Sequence, residues 1–162
     1  MATRKQKVRP RLALARILKK ARRSKKVVFT NGCFDILHLG HVRLLEKARS
    51  QGDLLVVGLN SDSSLRRLKG PGRPLTNQRA RAELLASLEC VDFVTFFSEP
   101  TPAETIDILK PDVLIKGGDY KRTEIVGHDK VKKLVRFPVV KGYSTTALIH
   151  KILKTYGRET AL

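Results

Sequence analysis

From Val27 onward, short apolar runs alternate with amphipathic stretches, and this rhythm constrains the fold more than any other feature of the chain. The apolar runs predict five strands, at 27–30, 54–59, 93–97, 113–115 and 135–137. The amphipathic stretches predict helices at 41–51, 79–88, 103–109, 130–134 and 145–156. Runs such as 54–57 are apolar on both faces, which indicates strands buried between two helix layers. The pattern therefore predicts an α/β fold: a Rossmann-like, doubly wound parallel sheet of five strands.

Length and composition fit one globular domain. The chain has 162 residues, 41% of them hydrophobic, which is enough for a sizeable core. We expect the domain at 27–162, preceded by a basic N-terminal arm at 1–26 that contains a lead-in helix. Two cysteines, no secretory signal and no long apolar run predict a cytoplasmic protein without a membrane span.

The net charge of +18 is concentrated at the N-terminus. Residues 1–26 hold twelve Lys and Arg residues and no acid, whereas the rest of the chain has 21 basic and 15 acidic residues. The smaller excess suits an enzyme that attracts phosphorylated substrates. For the arm, a solvated basic helix is favoured over a nucleic-acid-binding segment, because no aromatic residue is interleaved before Phe29.

Two histidines follow the first predicted strand, in the run Thr30-Asn31-Gly32-Cys33-Phe34-Asp35-Ile36-Leu37-His38-Leu39-Gly40-His41. Three residues apart at a helix start, they project from one face, beside free backbone N–H groups and the positive end of the helix dipole. A phosphate fits there. The alternatives are helix-capping histidines and a metal site. The metal site is disfavoured, because only His128 and His150 remain as further histidines, and we expect no metal ligands in the chain.

Three polar segments directly follow predicted strands: the histidine segment, Asn60-Ser61-Asp62 and Lys116-Gly117-Gly118-Asp119. Ligands of doubly wound sheets bind beyond the carboxyl ends of the strands, where the strand order reverses. We therefore expect the three segments to meet at one edge of the sheet. A nicotinamide dinucleotide site is excluded, since the first strand–helix turn lacks Gly-x-Gly-x-x-Gly.

The chain resembles the nucleotidyltransferases of the cytidylyltransferase type, with the HxGH nucleotidyltransferase fold. The closest branch is that of the D-glycero-β-D-manno-heptose 1-phosphate adenylyltransferases (ADP-heptose synthases). Besides the histidine segment, the resemblance rests on ordered blocks at 52–62, 68–70, 73–74, 78–81, 91–92, 101–102, 116–120 and 142–146. The glycerol-phosphate branch carries an arginine before its Ser-Thr-Thr block. Here that position is Val139, which favours the heptose branch, although 129–138 is shorter than in that branch.

The resemblance implies roles for particular residues. His38 and His41 would hydrogen-bond the α- and β-phosphates during in-line displacement, with Lys69 and Lys116 as the catalytic lysines. The implied nucleotide-binding residues are Thr30, Asn31, Gly32, Phe34, Asp35, Gly40, Asn60, Asp62, Arg81, Gly117, Asp119, Ser144, Thr145 and Thr146.

Some of these roles have a competitor. Asp35 either orients a histidine or binds substrate, or it caps its own loop. Arg79 competes with Arg81, and we expect only one of them to point inward. Asp119 binds a sugar or ribose hydroxyl, or belongs to a turn. The hydroxyls of 144–146 bind phosphate or cap the last helix.

The resemblance also implies a reaction: NTP and a sugar 1-phosphate give an NDP-sugar and pyrophosphate. ATP and heptose 1-phosphate are the expected substrates, which places the protein in ADP-heptose and lipopolysaccharide-precursor synthesis. Mg²⁺ would arrive bound to ATP. The enzymatic alternatives are a glycerol-3-phosphate cytidylyltransferase and an FAD-synthetase-like enzyme, and the non-enzymatic one is nucleic-acid binding through the arm. We expect a homodimer, and a separate sugar kinase because this length leaves no room for a kinase domain.

Overall fold

The computed structural model describes residues 3–157, apart from the side chain of Lys5. Its centre is a sheet of five parallel strands in the order β3-β2-β1-β4-β5. The strands are β1 (Val27–Gly32), β2 (Leu54–Asn60), β3 (Phe93–Phe97), β4 (Val113–Gly117) and β5 (Lys133–Phe137). The helices are α1 (Arg4–Lys7), α2 (Arg11–Ala21), α3 (Leu39–Arg49), α4 (Asp62–Lys69), α5 (Gln78–Ser87), α6 (Ala103–Leu109) and α7 (Thr145–Tyr156), with a 3-10 helix at Arg122–Glu124. The predicted fold class is confirmed.

Helices cover both faces of the sheet. Residues of α3 and α5 form one core cluster, and residues of α2 and α6 form the other. Strand β2 contributes to both, because Leu55 and Val57 belong to the first cluster and Val56 to the second. Successive side chains of a strand point to opposite faces, so burial on both faces requires the continuous apolar run seen in the sequence.

The order of the strands reverses beside β1. From β1 the chain proceeds outward to β2 and β3, and α6 then leads back to β4 on the other side of β1. The carboxyl ends of β1 and β4 therefore lie side by side at the point where such sheets bind their ligands. The polar segments after these two strands open onto this point.

The N-terminal segment is tied into the domain by α2. Leu14 and Leu18 are fully buried against the cluster that contains Ile106 and Leu109. The backbone N–H of Arg9 donates to the Val94 carbonyl at 2.9 Å, next to an isolated parallel bridge between residues 8 and 94. Part of the basic arm is thus a packed lead-in helix.

The predicted helix at 130–134 is wrong. Lys133 already begins β5, where Leu134 pairs with Leu114 and Val135 pairs with Ile115. The backbone N–H of Lys133 donates to the carbonyl of Asp112, so the parallel ladder starts at this residue. A five-residue apolar–basic stretch is too short to decide between helix and strand from periodicity, and pairing with β4 decides it here.

Helix α4 was not predicted. Ser61 caps it, since the Ser61 Oγ accepts from the backbone N–H of Ser64 at 3.2 Å. Only Leu65 and Ser64 of this helix are buried, so the apolar stripe is too narrow to show in the sequence.

Across the described residues, no helix combines the length and the apolar character that crossing a membrane requires.

Candidate active site

A cavity of about 1050 Å³ lies beyond the carboxyl ends of β1 and β4. This volume is at the upper end of the range for small-molecule sites, which is about 300–1,000 Å³. All of the predicted site residues line it except Thr30, Asp62 and Arg81. The three polar segments identified in the sequence therefore do meet in one place.

The two histidine rings are stacked in this cavity. The ring centroids of His38 and His41 lie 3.7 Å apart, with 20° between the ring planes. The Nδ1 atoms of both rings are buried and have no hydrogen-bond partner among residues 3–157. Burial lowers the pKa of both residues, and for His41 burial and the neighbouring His38 lower the pKa to about 4. Near neutral pH the pair is uncharged, and each ring offers one N–H.

A strained loop holds the histidines in place. Phe34 and Ile36 have φ angles of 46° and 54°, in the left-handed region that non-glycine residues rarely adopt. The buried Phe34 ring lies 5.1 Å from the His41 ring, centroid to centroid. At Gly40, a Cβ atom would lie 3.0 Å from the His38 ring, so the glycine allows that ring to fold back over the helix start.

Lys116 spans the point where the strand order reverses. It leaves the end of β4, and its Nζ lies 3.4 Å from both the carbonyl and the side-chain oxygen of Asn31 at the end of β1. Burial lowers the pKa of Lys116. These two contacts are long, so the ammonium keeps donor capacity for an anion in the cavity. Lys69, at the end of α4, is exposed and lines the same cavity.

Asp35 fixes the Gly/Pro-rich loop to the histidine segment. Its Oδ2 accepts from Arg73 Nε at 2.7 Å and from the Leu75 backbone N–H at 2.9 Å, and its Oδ1 accepts from the Thr76 N–H at 3.0 Å. Burial alone would raise the pKa of Asp35, but these three hydrogen bonds outweigh it and lower the pKa. Both oxygens are used, so the carboxylate joins two distant loops and does not cap its own.

Arg81 lies beneath the cavity. Its fully buried guanidinium donates to the carbonyls of Thr76 (2.9 Å), Cys33 (2.6 Å) and Asn60 (2.9 Å) and to Asp62 Oδ1 (2.7 Å). Arg79 is exposed, so Arg81 is the arginine that points inward. Its donors hold the ends of β1 and β2 in position, and its direct contact with a nucleotide stays a prediction.

The start of α7 forms one wall of the cavity. The Ser144 Oγ caps this helix by accepting from the Ala147 N–H at 3.0 Å. The Thr145 Oγ1 donates to the Asp35 carbonyl at 2.7 Å. Thr146 is exposed and lines the cavity. Helix capping therefore uses the hydroxyl of Ser144, and the bond to the Asp35 carbonyl uses that of Thr145. The hydroxyl of Thr146 is left for a ligand.

Several lining residues were missed by the sequence analysis. Arg73 was part of a matching block, but it had no role before its contact with Asp35 was seen. Cys33 also lines the cavity. Burial raises the pKa of its thiol by more than the nearby charges of Lys69 and Arg81 lower it. The thiol is therefore not activated as a nucleophile. The apolar part of the wall carries no polar motif that a sequence could show, and it includes Phe97, Pro100, Pro102, Ile125, Val126, Phe137 and Val140.

Several known proteins are similar to this chain in sequence. The family model described as cytidylyltransferase-like matches residues 29–155. A protein of Syntrophotalea carbinolica named bifunctional protein HldE is 54% identical over 155 residues, which are 93% of this chain and 32% of that protein. The protein of the same name from Helicobacter pylori is 53% identical over 136 residues, with coverage of 84% and 29%. The chain thus spans about a third of the length of these curated relatives.

Two solved structures have the same fold as this chain. The crystal structure of a lipopolysaccharide core biosynthesis protein from Thermoplasma volcanium matches with a TM-score of 0.62 at 30% identity, covering 73% of this chain and 100% of that one. A pantoate-β-alanine ligase from Francisella tularensis matches with a TM-score of 0.60 at 18% identity, covering 91% and 78%, a likeness that shows the fold alone. Since the family model matches most of its length, this chain belongs to the cytidylyltransferase-like family and is a nucleotidyltransferase.

Proposed function

We propose that this nucleotidyltransferase joins the adenylyl group of ATP to a sugar 1-phosphate, and that the sugar is a heptose. The observation that carries the proposal is the neutral, stacked His38–His41 pair, which faces the same cavity as Lys116 and the start of α7. Support for the sugar phosphate comes from the resemblance to the heptose branch and from the named relatives, which include a lipopolysaccharide core biosynthesis protein.

The reaction is a displacement at phosphorus. An oxygen of the sugar phosphate bonds to the α-phosphorus of ATP, the bond from that phosphorus to the oxygen bridging the α- and β-phosphates breaks, and pyrophosphate leaves with the electron pair. Negative charge shifts to the leaving group, and N–H groups of His38 and His41 would stabilise it. Lys116 and the exposed Lys69 would add positive charge. The protein would accelerate the reaction by positioning the two substrates and by stabilising charge, since the reaction needs no covalent intermediate.

A magnesium ion fits this chemistry as part of the substrate. Both Asp35 oxygens are occupied by Arg73 and two backbone N–H groups, and no three metal-ligating side chains cluster within 3–157. Two other carboxylates line the cavity, Asp119 and Glu124, and Glu124 already accepts from the Lys121 N–H at 2.8 Å, so Asp119 is the carboxylate that would reach the ion carried by the substrate. Mg²⁺ commonly binds through one or two carboxylates, water and substrate phosphates. When bound, it would neutralise charge on the triphosphate.

The test is pyrophosphate release over a panel of nucleotides and phosphorylated acceptors. ATP with a seven-carbon sugar 1-phosphate should give the fastest turnover, and CTP should be a poor donor. Faster turnover with CTP and glycerol 3-phosphate would assign the chain to the glycerol-phosphate branch. Turnover with a flavin mononucleotide acceptor would assign it to the FAD-synthetase-like enzymes.

A further inference from the structure

A second cavity, of about 600 Å³, lies at the edge of the sheet opposite the candidate active site. It is formed where the chain enters β1, β2, β4 and β5. We call it the basic basin and define it by its six cationic side chains, which are Arg22, Arg23, Lys25, Lys26, Lys132 and Lys133.

The two carboxylates in the basic basin do not neutralise it. Asp53 Oδ2 accepts from the backbone N–H of Lys26 at 2.7 Å. Asp112 accepts from the Val27 N–H at 3.0 Å and from Lys132 Nζ at 2.9 Å. Lys133 donates to the neutral side chain of Gln51. Among residues 3–157, the two carboxylates therefore leave most of the positive charge in this concave site uncompensated, and low-dielectric walls focus such a field on anions.

Arg22 gives the second observation. Its Nε and Nη2 atoms are buried, and neither has a hydrogen-bond partner within the described part of the chain. Buried donors are nearly always paired, so these two nitrogens leave the charge of the guanidinium without compensation on its protein side. The residue as a whole is half-buried and lines the basin, so its charge acts on an anion there.

The helix dipole explains only part of the basic basin. Arg22 caps the C-terminus of α2, and the basic residues up to Lys26 follow it, where cations stabilise the negative end of a helix. Lys132 and Lys133 belong to a different element, the entry to β5, and α2 gives no reason for them to converge on the same cavity. Convergence from two distant segments is typical of a ligand site.

We propose that the basic basin binds a small anion with two or three linked phosphate groups, at a site separate from the candidate active site. The cavity lies in the size range of small-molecule sites and exceeds what one phosphate needs. Several cations spread over its wall match several linked phosphates better than a single ion. Within the described residues no aromatic side chain lines the basin, so the phosphates and not a base would be recognised.

The test follows backbone amide signals by NMR while inorganic tripolyphosphate, and separately ATP, is added to the full chain. Both should shift the signals of 22–26 and 132–133 with similar affinity, independently of the signals around His38. The Arg23→Gln/Lys25→Gln variant, which changes two exposed side chains, should weaken binding at the basin at least tenfold. Lys19→Gln/Lys20→Gln removes the same charge from exposed positions of α2 outside the basin and should leave that affinity within twofold.

Three results would overturn the proposal. The first is the absence of any shift at 22–26 and 132–133 when the signals around His38 are saturated. The second is an equal loss of affinity for tripolyphosphate in both double variants, which would mean that the anion is attracted by the overall charge of the protein and not by the basin. The third is a basin that responds to single-stranded polynucleotide but not to tripolyphosphate. In each case the signals around His38 still show whether ATP binds at the candidate active site, so the proposed transferase function is tested separately.

Discussion

The guanidinium of Arg81 donates to the carbonyl of Cys33 at 2.6 Å, although 48 positions separate the two residues in sequence. The same side chain holds the carbonyl of Asn60 and the carboxylate of Asp62. One buried cation thereby connects α5 to the ends of β1 and β2, the two strands from which the histidine segment and the Asn60 segment depart. Arg81 acts on the cavity by positioning its wall.

Replacing Arg81 by Met should lower the free energy of unfolding by about 3–5 kcal/mol, because it leaves Asp62 and three carbonyls without their buried partner. Urea unfolding of both proteins measures the change. Arg79→Met is the matched control on the exposed side of the same helix and should stay within about 0.5 kcal/mol of the parent. Equal effects of the two substitutions would contradict the positioning role.

His38→Ala and His41→Ala should each reduce turnover far more than they weaken nucleotide binding. The hydrogen bonds strengthen as charge develops in the transition state, and loss of one comparable donor costs about 2.7–4 kcal/mol, or roughly a hundredfold to a thousandfold in rate. Steady-state rates and nucleotide titrations separate the two effects. Unchanged turnover in both variants would rule out a catalytic role for the pair, and side-chain capping is no alternative, because His38 occupies the N-cap position of α3 without a side-chain hydrogen bond to the helix.

The protonation of the histidine pair should make the protein less stable in mild acid. Burial and the neighbouring His38 lower the pKa of His41 to about 4, against about 6.5 in an unfolded chain. Between these values the unfolded chain binds a proton that the folded chain does not bind, so the free energy of unfolding falls as pH falls, by about 3 kcal/mol. Urea unfolding across pH 4–7 measures it. A His41→Ala variant should show a flatter dependence, and an identical dependence would refute the assignment.

Asp35→Asn should release the loop at 70–76. The substitution removes the charged partner of Arg73 and weakens the hydrogen bonds from the N–H groups of Leu75 and Thr76. Bonds to a charged group are worth about 1.5–3 kcal/mol, so amide exchange at 75 and 76 should speed up by roughly tenfold or more. Hydrogen-exchange NMR gives the rates, with the amides of β2 as an internal reference. Unaltered protection at both amides would mean that the loop is held by other contacts.

Deleting residues 1–10 should leave the transferase reaction largely intact. Every proposed active-site residue lies at Thr30 or later, and the two core leucines of α2 remain. The deletion removes the backbone bond from Arg9 to Val94, so some stability at the edge of the sheet should be lost. Pyrophosphate release and thermal unfolding measure the two effects. Loss of catalysis in a folded, shortened chain would mean that the arm reaches the active site.

Residues that follow a buried strand could be predicted from the sequence, because strand ends are visible as ends of apolar runs. The histidine pair, Asn60 and Lys116 were found in this way, and they line one cavity. The contact of Arg73 with Asp35 could not be predicted, since it depends on how two loops meet across 38 positions. Local periodicity also failed at β5, where pairing with β4 overrides the preference of a short segment.

The bond from Thr145 to the Asp35 carbonyl joins residues 110 positions apart, and Lys116 reaches Asn31 across 85. The wall of the cavity is therefore assembled from both ends of the chain. During synthesis on the ribosome, β1 gains β2 early, but the histidine segment meets its partner in α7 only after Thr145 has been made. Contacts of such long range slow folding, so the cavity should become able to bind substrates only after the segment around Thr145 has joined the domain.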